Sequence, residues 1–145
     1  MADTCNGDVV VAAATAWLGT PFVHQGSCRG AGADCLGLVR GIWRDLIGNE
    51  PCSVPAYGVH AADLGGHDAL LTGLQEHFTA VDEGALLPGD VLAFRMRERG
   101  PAQHVGVLTA PDAFVHAYAR YGVVRSAYGA HWRRKLVASF RFPRR

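Results

Sequence analysis

Gly32-Ala33-Asp34-Cys35-Leu36-Gly37-Leu38-Val39-Arg40 places a cysteine where a helix begins, and the rest of the chain is best understood outward from it. Asp34 is a strong N-cap, with Cys35 as the first helical residue. Apolar residues then recur at Val39, Ile42, Trp43 and Leu46, the i, i+3, i+4, i+7 spacing of a helix with one buried face, and Gly48 closes it. A thiol at a helix N-terminus feels the positive end of the dipole, which favours thiolate. The free backbone N–H groups of that first turn can also receive an oxyanion. Nucleophilic cysteine chemistry needs both features.

Upstream, residues Asp8 to Leu18 form a first helix ended by Gly19 and Pro21, with Trp17 and Leu18 packing inward. Residues 19–26 are extended and turn-rich, and 27–32 are a glycine-rich approach to Cys35. Gly37 and Gly41 lie four apart on one face of the second helix. Each costs about 1 kcal/mol of helix stability, which points to close approach of that face to a sheet or another helix. Downstream, 50–66 is irregular, with Pro51 and Pro55. A third helix runs from Asp68 to Phe78, with Leu70, Leu71, Leu74 and Phe78 on its apolar side. After the turn signal Leu87-Pro88-Gly89-Asp90 the chain changes to strands. These cover Val91–Met96 (Leu92, Phe94 and Met96 on one side), His104–Thr109, Ala113–Tyr118, Gly122–Ala127 and Leu136–Phe142, with 97–103 a polar loop. Helices first and antiparallel strands afterwards indicate an α+β fold, read as a single domain over residues 1–145.

The composition, 49% hydrophobic and 19% charged over 145 residues, excludes a disordered chain. The longest apolar run, Val9 to Ala14, is too short to span a bilayer, so no membrane span is expected. Met1-Ala2-Asp3 begins no basic n-region or apolar h-region, so the expected product is cytoplasmic, without a signal peptide. The net charge of +1 is polarised: residues 1–94 hold three Arg and eleven Asp/Glu, and residues 95–145 hold eleven Lys/Arg and two Asp/Glu. The basic third is a solvated face, a surface for an acidic partner protein, or one for an anionic polymer. No base-reading or strand-stacking motif accompanies it, so sequence-specific nucleic-acid binding is not expected. Cys5, Cys28, Cys35 and Cys52 form no C-x-x-C pair, so no metal and no cofactor are expected.

A cysteine nucleophile needs a base, and of the seven histidines His104 and His116 fall inside strands. His104 shares a strand face with Gly106, which leaves room beside the imidazole. The twelve-residue spacing suits a hairpin centred near Ala110-Pro111, making the two histidines cross-strand neighbours, one orienting the other. His24 and Gln25 lie just upstream of the nucleophile.

Gly19-Thr20-Pro21-Phe22, Asp34-Cys35-Leu36-Gly37-Leu38-Val39, Pro88-Gly89-Asp90-Val91, His104-Val105-Gly106-Val107 and Phe114-Val115-His116-Ala117 occur in the order and spacing of NlpC-type cell-wall cysteine peptidases. The resemblance covers most of the chain, from about Ala13 to Phe142. Within that family, the Cys35 to Trp43 run and the terminal Phe140-Arg141-Phe142-Pro143 resemble the compact peptidases of phage tails and gene transfer agents. The resemblance implies a papain-like fold and hydrolysis of a peptidoglycan stem-peptide bond, often that between D-glutamate and diaminopimelate. It implies Cys35 as nucleophile, His104 as general base and acid, and His116 as the group that orients His104. Phe22 stands where many members carry Tyr, and Leu36 where many carry Ser. Gln25 and His24 are therefore the alternative oxyanion donors, and Asp34 is grouped with them as an oxyanion or substrate contact. The implied partners are peptidoglycan stem peptides and a phage-like tail hub or tip protein, with the particle carrying the enzyme to the wall. Two alternatives are a catalytically silent tail-tip component and an amidase or acyltransferase of the same fold.

Overall fold

A computed structural model describes residues 4–54 and 68–144. Part of the irregular 50–66 stretch, residues 55–66, lies outside them, as do His60 and His67.

Helix α1 spans Gly7–Ala16 and is capped by Asn6, whose side chain accepts from the Asp8 N–H at 2.8 Å. Gly19, with φ of 87°, turns the chain away. Trp17 is buried as expected, but Leu18, beyond the helix, is 41% exposed instead of packing inward. Helix α2 spans Cys35–Leu46, starting at the expected residue, and Gly48 takes φ of 134° just past its end. Helix α3 spans Ala69–His77.

The strands are β1 (Ser27–Cys28), β2 (Gly32–Ala33), β3 (Thr79–Val81), β4 (Val91–Arg95), β5 (Ala102–Ala110), β6 (Ala113–Tyr118), β7 (Gly122–Ala127) and β8 (Leu136–Arg141). The first two form a small hairpin, and the other six form one antiparallel sheet in the order β3-β8-β4-β5-β6-β7. A four-residue helix α4, Ala130–Arg133, lies between β7 and β8. The hairpin, β3 and α4 carry no periodic signal in the sequence because each is shorter than one period of its own pattern needs to show.

The sheet is buried on both faces. Val10, Trp17, Leu38 and Ile42 of the helical layer share a core with Val91, Ala93, Val105, Val107 and Val115. On the opposite face Leu92, Phe94, Leu108, Phe114 and Tyr128 form a second cluster, closed by Trp132 of α4. In β4, therefore, Val91 and Ala93 are as buried as Leu92 and Phe94, and Met96 lies beyond the strand end.

Gly41 has the expected use, whereas Gly37 lies against the turn at Gly26 and not against a sheet or another helix. A Cβ on Gly41 would collide with the Trp17 ring, so α1 and α2 cross at van der Waals contact there. The Trp17 indole N–H also donates to Asp45 Oδ2 at 3.1 Å. A Cβ on Gly37 would collide with the Gly26 carbonyl. At the far end of the sheet Arg141 of β8 grips buried Asp90 through two N–H···O contacts of 2.8 and 2.9 Å, and Asp90 Oδ2 also accepts from the Leu87 N–H. This clamp closes the Leu87-Pro88-Gly89-Asp90 turn and brings β4 in beside β8.

Candidate active site

The start of α2 is stitched to the turn before it by one carboxylate. Asp34 Oδ1 accepts from the Gly37 N–H at 2.7 Å as the N-cap. Asp34 Oδ2 accepts from the Gln25 N–H at 2.8 Å, holding Gln25 at φ of 62°. The carboxyl is buried and accepts from backbone on both oxygens, so Asp34 builds the loop and the cap. His24 and Gln25 meet through side-chain nitrogens 3.3 Å apart on the exposed side of the same turn. Phe22 is half-buried, against the helical core, and bridges Ala33.

Cys35 approaches the sheet from the helical side. Recorded pairing of β5 with β6 runs from Val107 onward. Two residues before it, the Val105 backbone stabilises the charged form of the Cys35 thiol. Cys35 thus feels the backbone of the residue that follows His104. Among the described residues no hydrogen bond joins the thiol to the His104 ring.

His104 and His116 do meet. His104 Nε2 and His116 Nδ1 are 2.7 Å apart. The way they meet differs from the expected one. The turn is at Pro111 and Asp112, between paired Ala110 and Ala113, one residue later than the spacing suggests. The register therefore sets His116 across from Gly106, and His104 is its diagonal neighbour. The room that Gly106 provides is not beside His104. A Cβ there would lie 2.8 Å from the Phe114 ring and 3.1 Å from His116 Cβ, so the missing side chain admits Phe114 and His116.

Two residues of this site carry no sequence signal. Trp132 of α4 lies edge-on to His116, with centroids 5.3 Å apart, and over His104 at 5.7 Å. Ser126 of β7 places its Oγ 2.8 Å from His116 Nε2. Tyr118 stacks on His116 from the remaining side at 5.1 Å.

The electrostatics correct the expected thiolate. Burial pushes the Cys35 thiol up to about 12. The Val105, Leu36 and Cys35 backbone groups pull the other way, while the Asp34 carboxylate adds to the rise. Burial also pushes His104 well below the ordinary imidazole value, helped by His116, and pushes His116 down as well. At neutral pH the resting site holds a neutral thiol and two neutral imidazoles, because desolvation outweighs the helix dipole.

An apolar cavity of about 220 Å³ lies between α2 and α3, bordered by Leu36, Val39, Trp43, Leu70, Leu74 and Phe78. It touches neither Cys35 nor the two histidines. Cys5, Cys28, Cys35 and Cys52 are all free thiols.

Residues 19–141 match the family model described as the NlpC/P60 family. The chain is 29% identical over 121 residues to the Escherichia coli K12 protein named "Probable endopeptidase NlpC", covering 83% of this chain and 68% of that one. It is 33% identical over 112 residues to a Haemophilus influenzae protein named "Probable endopeptidase", covering 77% of this chain and 58% of that one. The solved NlpC/p60 domain of the peptidoglycan hydrolase SagA superposes with a TM-score of 0.63 at 20% identity, over 94% of this chain and 98% of that domain. With the matched segment spanning every strand of the six-stranded sheet, the chain belongs to the NlpC/P60 family, whose members are cysteine peptidases that cleave peptidoglycan.

Proposed function

We propose that the chain is one peptidase domain that hydrolyses a stem-peptide bond of peptidoglycan, with Cys35 as nucleophile, His104 as base and acid, and His116 as orienting group. The observation that carries this reading is the buried thiol at the start of α2, influenced by the backbone of the residue beside a histidine that is itself hydrogen-bonded to a second histidine. The Cys35 thiol gives its proton to His104 Nδ1 as its sulfur attacks the carbonyl carbon. The Cys35 backbone N–H at the start of the helix helps receive the oxyanion. His104 then protonates the leaving amine, and the thioester is hydrolysed by water that gives its proton to His104. Because both partners rest neutral, the proton moves during attack and not beforehand.

The finer reading is a bond of the D-glutamyl-diaminopimelate type, cut by an enzyme that is made in the cytoplasm and carried on a phage-like tail to open the wall for DNA delivery. The Cys35 to Trp43 run and the terminal Phe140 to Pro143 support the tail assignment by resemblance. Arg95, Arg97, Arg134 and Lys135 line a cleft of about 440 Å³ with His131 and Glu98, a basic surface that fits an acidic tail hub or tip protein. Arg133 is not part of that surface. Its guanidinium donates to the Tyr128 and Pro111 carbonyls and lies 4.4 Å from the Tyr128 ring centroid.

Purified peptidoglycan incubated with the wild type and with Cys35→Ala tests the activity. Fragments released by the wild type alone support the peptidase, and their masses name the bond. No fragments from either, with the protein still assembled into tails, would favour a structural tail component. Arg97→Glu together with Arg134→Glu and Lys135→Glu tests docking: tail incorporation should fall while cleavage of isolated wall persists.

A further inference from the structure

The two ring nitrogens of His116 have different partners, and the second has no part in the triad so far. His104 Nε2 lies 2.7 Å from Nδ1, and Ser126 Oγ lies 2.8 Å from Nε2. Ser126 is on β7, the last strand of the sheet, two residues from Val124, which pairs with His116. The aromatic rings around His116 among the described residues are those of His104, Phe114, Tyr118 and Trp132. Ser126 Oγ is the hydrogen-bond partner of Nε2 among the described residues.

Both imidazoles are neutral at neutral pH, so each carries a single N–H. Only two proton arrangements then make both hydrogen bonds. In one, His104 donates Nε2–H to His116 Nδ1, and His116 donates Nε2–H to Ser126 Oγ. His104 Nδ1 is left with its lone pair, ready to take the thiol proton. In the other, every donor reverses: Ser126 O–H donates to His116 Nε2, His116 donates Nδ1–H to His104 Nε2, and His104 holds its own proton on Nδ1. That second arrangement leaves His104 with no unprotonated nitrogen outside the relay. The hydroxyl at the end of the chain serves the first arrangement by accepting and the second by donating. Ser126 is half-exposed on an edge strand, so its hydrogen can turn toward solvent while its lone pair faces the ring.

We infer that Ser126 is a positioning residue that fixes the direction of the His104–His116 relay by accepting the His116 Nε2–H, so that His104 presents an unprotonated Nδ1. The inference rests on the peptidase reading for its catalytic meaning, but the proton arrangement itself needs no substrate. It also explains how a histidine, which can donate or accept at either nitrogen, serves as a one-way orienter. A carboxylate in that place would need no such partner, since it can only accept.

Ser126→Thr and Ser126→Val test this together with Ser126→Ala. Thr and Val have the same shape at Cβ and both suit a strand, so the difference between them is the hydroxyl. The ring ¹⁵N shifts of His104 and His116 report the tautomers, and the pH profile of Cys35 alkylation by iodoacetamide reports the base. In the wild type and in Ser126→Thr, His104 should be protonated at Nε2 and bare at Nδ1. In Ser126→Val and Ser126→Ala the tautomers should mix and the alkylation profile should move. kcat on wall fragments should fall about tenfold in these two, with KM little changed, the effect of one ordinary hydrogen bond. Tautomers and alkylation in Ser126→Val identical to those in Ser126→Thr would overturn the inference. If the tautomers shift but no variant, nor the wild type, cuts peptidoglycan, the relay stands and the peptidase reading falls.

Discussion

With no side chain of its own, Gly106 leaves the space across from His116 to the Phe114 ring, and the position of His116 over β5 depends on that vacancy. A methyl added there would sit 2.8 Å from the Phe114 ring and 3.1 Å from His116 Cβ. Gly106→Ala should therefore cost about 1–3 kcal/mol of stability by overpacking, and it should displace His116 from His104. Urea unfolding and wall hydrolysis measured on the same sample check this. Wild-type activity with wild-type stability would show that the pocket can absorb the methyl. The identities of Cys35, His104 and His116 are legible in the sequence because each sits at a recognisable place in its element. Their charge state is not: a helix N-terminus argues for thiolate, but burial is a tertiary property and here it wins. Ser126 is illegible for a related reason. Its contact is diagonal across two strands, and a serine in a strand carries no mark of what faces it.

The helix that presents the thiol is fixed at two points, and they should fail in different ways. Asp34 caps α2 and holds the Gln25 N–H, so Asp34→Ala removes two bonds at once. It should destabilise by about 1–2 kcal/mol and reduce turnover, because the first turn that receives the oxyanion loses its anchor. Asp34→Asn should recover part of both. Gly41→Ala acts at the other point. Helix propensity alone predicts a gain of about 1 kcal/mol, but the added Cβ would meet the Trp17 ring. The collision should outweigh propensity, giving a net loss of about 1–3 kcal/mol with activity per folded molecule little changed. A stabilised Gly41→Ala would mean that α1 can move away from α2 at small cost. At this scale the long elements are legible, since α2 and the β6 and β7 strands run over the residues the patterns indicate. The β1–β2 hairpin, β3 and α4 are not. They are held by tertiary contacts such as Trp132 against the second core, not by periodicity.

Burying the histidine pair makes the stability of the whole molecule depend on pH, and the direction follows from which state takes up protons. His104 and His116 are both held below the ordinary imidazole value of 6.5 by burial, with His116 adding to the effect on His104. Above about pH 6.5 both rings are neutral folded and unfolded, so the full stability is present. Below it the unfolded chain binds protons that the folded chain refuses, and stability falls as pH falls. The slope is up to about 1.4 kcal/mol per pH unit for each ring, or about 2 kcal/mol for each at pH 5. The Cys35 thiol gives the mirror case. It is held up to about 12, above its ordinary 9.0, so stability is lost as pH rises past about 9 and the unfolded thiol ionises. The expected profile is a plateau between these limits, read from the urea midpoint across pH 4 to 10. His116→Asn should remove about half of the acid slope and leave the alkaline slope in place. Cys35→Ala should remove most of the alkaline slope, leaving the smaller part that Cys5 and Tyr128, also held up by burial, contribute, and leave the acid slope in place. A urea midpoint that stays flat from pH 7 to pH 5 would mean that solvent reaches both rings in the folded state, and with it the picture of a closed, neutral resting site would fail.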